Sequence, residues 1–139
     1  MHDSAARSDL IQLTFTKSAV APITSQLELR LSPQKIILVK KEDLSPAVNS
    51  IEEIRKIYSN KIEIVSEEEI INAIENKIPG TVILHKVGPV SEKQNKGYCF
   101  KMLIGTDDAI MYYYNVHTID KNNPNGLLPA DLKRLARFE

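Results

Sequence analysis

Hydrophobic and polar residues alternate in two stretches near the start of the chain, LIQLTFTK and QLELRL. In the first, Ile11, Leu13 and Phe15 oppose Gln12, Thr14 and Thr16; in the second, Leu27, Leu29 and Leu31 oppose Glu28 and Arg30. A period of two is that of a half-buried strand, so both stretches are expected to be strands. Residues 1–8 are small and polar and read as a mobile tail. KIILV, from Lys35 to Val39, is instead an unbroken apolar run, which suits a strand covered on both faces.

Helical spacing follows. Val48, Ile51, Ile54, Ile57 and Tyr58 share a stripe opposite Glu52, Glu53, Arg55 and Lys56, with Ser45-Pro46 as N-cap and first turn. KIEIV reads as a second strand. Ser66 to Glu69 form a capping box ahead of Ile70, Ile71 and Ile74, and Pro79-Gly80 ends that helix. TVILH is a third strand. The succession β-α-β-α-β, with right-handed crossovers, predicts a parallel centre. KVGPVSEKQNKG reads as a polar loop. GYCFKMLI and AIMYYYNVHTI flank Gly105-Thr106-Asp107-Asp108 as an antiparallel hairpin, and Pro129 opens a last helix with Leu132, Leu135 and Ala136 inward. The expected fold is a single α/β (α+β) domain over residues 9–139, a mixed sheet with about three helices.

The hairpin holds three consecutive tyrosines, which cannot share a face. Phe100, Met102, Ile110, Tyr112 and Tyr114 are expected to form its covered side, and Lys101, Tyr113, Asn115 and His117 its exposed side. That pairing requires an odd loop, read here as a three-residue type with a bulge near Gly105. A polar binding surface on the exposed side is one reading of Lys101, Tyr113, Asn115 and His117; stacking of single-stranded bases is a further one, without the signature that such sheets carry.

Composition narrows the function classes. Lys and Arg number 18 and so do Asp and Glu, so the chain is formally neutral and lacks the basic excess of a nucleic-acid binder. One cysteine, Cys99, allows no internal disulfide, and no Cys/His set has zinc spacing. No apolar run approaches the roughly 20 residues of a membrane span, and MHDSAARSDL lacks the apolar segment of a signal peptide. No glycine-rich phosphate loop follows a strand, and Cys99 lies mid-strand, away from the helix N-termini that activate thiols. No cofactor, metal site or catalytic residue is expected.

In open parallel sheets, ligands collect beyond the carboxyl ends of the strands. Those ends are Lys40-Lys41-Glu42-Asp43, Ser66-Glu67 and His85-Lys86, from which Lys41, Glu67 and His85 are the candidate binding residues. Helix capping by Ser66 and a turn at Asp43 account for part of this polarity without any ligand.

The order of segments from KIILVKKEDL through GYCFKMLI and MYYYNVHTID to NGLLPADLKRLARF resembles small exported α/β domains of unknown function from Bacteroidetes cell envelopes. The resemblance covers about residues 35–139 and implies a periplasmic or envelope location with a signal peptide removed; without that removal the chain is expected in the cytoplasm. It transfers no catalytic residue. The leading expectation is a non-catalytic binding or assembly module with a protein partner or itself. A small-molecule binder or small enzyme at Lys41, Glu67 and His85 is the alternative.

Overall fold

The computed structural model describes residues 31–91 and 97–137. The tail and the two expected N-terminal strands lie outside these, except for Leu31, which is buried in the core. Among the described residues, five strands form one mixed sheet: β1 (Ile36–Val39), β2 (Ile62–Ile64), β3 (Thr81–Ser91), β4 (Gly97–Gly105) and β5 (Met111–Thr118), in the order β2-β1-β3-β4-β5. β1 pairs in parallel with both β2 and β3, whereas β3, β4 and β5 are antiparallel. Helices α1 (Ile51–Arg55), α2 (Glu67–Glu75) and α3 (Pro129–Arg137) complete the mixed α/β architecture that the patterning predicts.

Three local departures have physical causes. The helix expected from Pro46 is divided: Pro46–Val48 is a 3-10 turn, and α1 starts after Ser50, whose hydroxyl accepts from the Glu53 amide. Ser45 makes no such cap, so the regular helix begins where a hydroxyl meets its first-turn amides. Secondly, β3 runs through the expected KVGPVS loop to Ser91. β1 ends at Val39, so beyond Lys86 no β1 residue requires an amide from Pro89, and a proline is tolerated there. Thirdly, residues 106–109 join Gly105 to Ile110, and the bulge falls at Tyr112, between the pairs Ile104↔Met111 and Leu103↔Tyr113.

The sheet is covered on both sides. On one, Val48, Ile54 and Tyr58 with Leu132 and Leu135 of α3 pack on Ile37, Val39, Val82, Leu84, Leu103 and Tyr113. On the other, Ile70 and Ala73 of α2 pack on Leu38, Ile83, Met102, Ile104 and Met111. α2 is capped as expected, with the Glu69 amide donating to Ser66 Oγ at 3.2 Å. A nine-residue helix extends only about 13 Å, and among the described residues Tyr114 and Val116, toward the far end of β5, stay exposed beyond α2.

The hairpin departs from the expected sets: the bulge at Tyr112 puts Met111 with Met102 and Ile104 on the α2 side and Tyr112 against the α3-side core, and toward the far end the covering is reversed. Lys101 is 0% exposed and Tyr113 8%, while Tyr114 is 41% exposed; Phe100 and Tyr112 are half-buried. The cause is α3, which lays Asp131 on the polar set. Asp131 accepts hydrogen bonds from Lys101 Nζ (2.6 Å), Tyr113 Oη (2.5 Å) and Asn115 Nδ2 (2.9 Å). It also accepts from the Leu128 amide at 2.8 Å, the return arm of a capping box at the start of α3. His117 donates Nε2 to the Pro124 carbonyl at 2.8 Å, completing the row under the 119–128 segment.

That segment is pinned to the sheet's opposite end. Ser45 donates its amide to the Leu127 carbonyl and Leu127 donates to the Asp43 carbonyl, a parallel bridge between Leu44 and Leu127. Gly126 has φ +121, and a Cβ there would meet Ser45 N at 2.7 Å, so glycine is required on both counts. Cys99, fully buried, lies beneath, with Sγ 4.0 Å from the Gly126 carbonyl. Replacing Asp131 by alanine strands the buried Lys101 ammonium, and urea unfolding is expected to show a loss of about 3–5 kcal/mol. Tyr113→Phe removes one donor while keeping the ring, with an expected loss of about 1 kcal/mol in the same measurement.

Candidate functional site

The chain path creates one crevice by topology alone. From β1 the chain crosses through α1, on the α3 side of the sheet, to β2; it then returns through α2, on the opposite side, to β3 on β1's other flank. Helices leaving in opposite directions open a gap at the carboxyl ends of β1 and β3, the switch point where doubly wound sheets bind ligands. β3 continues past the end of β1 and forms one wall.

Polar side chains converge there from several elements. Lys40 follows β1, and its Nζ lies 3.9 Å from Asp43 Oδ2 and 3.8 Å from Glu67 Oε1 at the start of α2. Lys86 of β3 comes from the α3 side: its Nζ is 4.0 Å from Asp43 Oδ1 and donates to the Gly88 carbonyl at 3.2 Å. His85, one residue earlier, points to the α2 side with Met102 and is half-buried; its Nε2 is buried with no hydrogen-bond partner.

Electrostatics set these groups apart from ordinary surface charges. Burial raises the Asp43 carboxyl above the usual Asp range; Lys40 and Lys86 oppose that shift, while Glu42 and Glu67 add to it. Burial, and then the positive charge of Lys40, lower the His85 imidazole below its ordinary value. Asp43 therefore retains a proton to higher pH than a free carboxyl, and His85 stays neutral to lower pH. A carboxyl and an imidazole shifted toward their neutral forms are an acid/base pair in capacity, and the two ammonium groups supply hydrogen-bond donors.

Of the residues expected here, Glu67 and His85 lie at the crevice. Lys41 does not: it is exposed in the 3-10 turn Lys41–Asp43, and Lys40 takes its place. Asp43 and Lys86, both at the expected strand ends, complete the group. Lys101, Tyr113, Asn115 and His117 lie together on the face beneath α3, so the expected exposed polar surface is an internal network. Burial raises the Tyr113 phenol well above its usual range, aided by its bond to Asp131. Burial alone would raise Asp131, but the Lys101, Tyr113 and Leu128 hydrogen bonds outweigh it and lower the carboxyl.

The opposite face holds a second feature. Beyond α2, a recess of about 310 Å³ is lined by Tyr98, Phe100, Val116, His117 and Thr118. Tyr114 and Val116, at 41% and 40% exposure, lie beside it. Among the described residues, no group of three or more His, Cys, Asp or Glu side chains could hold a metal ion, and no helix is long and apolar enough to cross a membrane. Comparison with protein-family models finds no match, and comparisons with curated proteins and with solved structures find none either.

Asp43 has a signed effect on stability. Below the ordinary carboxylate pKa, folded and unfolded chains are both protonated and it costs nothing. As pH rises from there to the raised folded value, the unfolded chain ionises first and stability is lost. Asp43→Asn is expected to be more stable than the parent at neutral pH, with the difference closing toward about pH 4 in thermal melts across a pH series.

Proposed function

We propose that the protein is a binding module that pairs with another polypeptide along β5, a second copy of the same chain being the first candidate. The observation that carries this reading is the exposed apolar strip of Tyr114 and Val116 on the strand at the edge of the sheet that the described residues form, continuous with the recess at Tyr98 and Phe100. Edge strands ordinarily carry charges or prolines that discourage pairing. Met111–Thr118 contains no Lys, Arg, Asp, Glu or Pro, and among the described residues the bulge at Tyr112 is what blunts it. From Tyr113 onward the edge is regular and uncharged.

Antiparallel pairing of two β5 strands about a two-fold axis brings Tyr114 and Val116 of one copy beside those of the other. An isologous contact needs such a self-complementary strip. Backbone hydrogen bonds would supply the affinity, and side chains at alternate positions the specificity. Aromatic and β-branched residues facing each other across strands add about 0.2–1 kcal/mol per pair.

Light scattering over a concentration series is expected to show a dimer for the parent chain. Val116→Lys or Tyr114→Lys should give a folded monomer whose melting temperature, unlike the parent's, does not rise with protein concentration. A parent chain that stays monomeric at the highest concentration reached would overturn the reading.

A further inference from the structure

The geometry points to a binding site for a small oxyanion, a phosphate or carboxylate group, in the crevice between β1 and β3, held by Lys40, Lys86 and His85 with Asp43 as its proton partner. This site lies at the carboxyl ends of the parallel strands and is independent of the β5 edge.

The donors come first. Lys40 and Lys86 approach Asp43 from opposite sides of the sheet, yet their nitrogens stand 3.9 and 4.0 Å from its oxygens, beyond hydrogen-bond reach. The Lys40 side chain is 25% exposed and that of Lys86 10%, so neither is an ordinary solvated lysine. An anion's oxygens between the two ammonium groups would take charge-assisted hydrogen bonds that Asp43 does not take. His85 lies on the α2 side within the influence of the Lys40 charge, and its Nε2 is buried and without a partner. A neutral imidazole with Nε2 protonated adds one more donor.

Glu67, 53% exposed and paired with Lys40, can swing into solvent when an anion replaces it. Asp43 cannot, because its residue is 7% exposed and its backbone is bonded to Leu127. A second negative charge beside it favours its protonated form, which then donates to the anion. The groups facing Asp43 are Lys40 at the end of β1, Glu42 in its own turn, Glu67 of α2 and Lys86 of β3. Binding is therefore coupled to proton uptake at Asp43, and affinity rises as pH falls toward the Asp43 pKa.

Purely structural ion pairing explains the two lysines but requires no response to added anions. The two accounts separate in a titration of the full chain with sodium phosphate and, separately, with sodium acetate, at constant ionic strength set by chloride. Backbone amide resonances of Lys40 to Asp43 and the imidazole of His85 are followed by NMR at about pH 6 and about pH 8.

Saturable shifts confined to these residues and tighter at the lower pH are expected. Lys86→Met and Lys40→Met should each weaken binding at least about tenfold. Asp43→Asn should bind with a much weaker dependence on pH. Melting temperatures show that each variant is folded, and the partly exposed Lys40 supplies the folded variant if loss of Lys86 proves disruptive. Response to phosphate alone would assign a phosphoryl ligand, response to acetate alone a carboxylate, and response to both the shared oxyanion chemistry. No saturable shift with either anion up to about 50 mM overturns the inference, because that limit admits even binding weaker than that of a millimolar complex. So does binding in both lysine variants as tight as in the parent chain.

Discussion

The ion pair between Lys101 and Asp131 is the contact on which the rest of the structure turns. Both side chains are fully buried, 2.6 Å apart, and join the middle of β4 to the first turn of α3. Burying two charges costs several kcal/mol per ion, which such a pair repays only when its remaining hydrogen-bonding capacity is met. Tyr113, Asn115 and the Leu128 amide meet it on the Asp131 side. Because an apolar contact would tolerate sliding and this one does not, the pair fixes where α3 sits and which face of the hairpin it covers. Arg134 extends the network to the surface, donating to the Tyr113 hydroxyl at 3.2 Å.

Unequal covering follows from that constraint. α3 and α1 share the face that the network anchors, so the long crossover from β5 back across the sheet is spent there. On the other face, among the described residues, α2 packs at the Ile104 and Met111 end of β4 and β5, and Tyr114 and Val116 stay exposed. One fold thus carries two surfaces of opposite character: a charged crevice at the switch point and an apolar strip at the far edge. The parallel strands generate the first and the antiparallel strands the second.

Much of the architecture is legible in the residues. KIILV and TVILH announce strands by unbroken apolar runs, KIEIV by alternation about Glu63, and the segments between them make the three parallel; Ser66 to Glu69 announce a capped helix. The misreadings concern partners distant in sequence. Lys101, Tyr113 and Asn115 look solvent-facing beside Phe100 and Met102, and nothing local reveals the acid that faces them. A trace of it does exist: Asp131 falls on the same stripe as Leu128, Leu132 and Leu135, where an acid on an apolar face calls for a buried cation. Lys40 and Lys41 differ by one position, and only the end of β1 decides which turns toward Glu67. Gly88-Pro89 reads as a break because the early end of β1, which frees that part of β3 from a partner, is invisible in the β3 sequence itself. The bulge at Tyr112 depends on where the loop closes, a choice among near-equivalent registers.

The position of Cys99 turns the 119–128 segment into a clock. It is the chain's single thiol, fully enclosed, with Gly126 directly above it. A thiol reagent can reach it only when that strap lifts from β4, and lifting breaks the Leu127 bonds to Asp43 and Ser45. The rate at which a disulfide reagent modifies the native protein is therefore governed by one local opening reaction. Slow reagents would read the equilibrium of that opening and fast ones its rate, with no probe added to the chain.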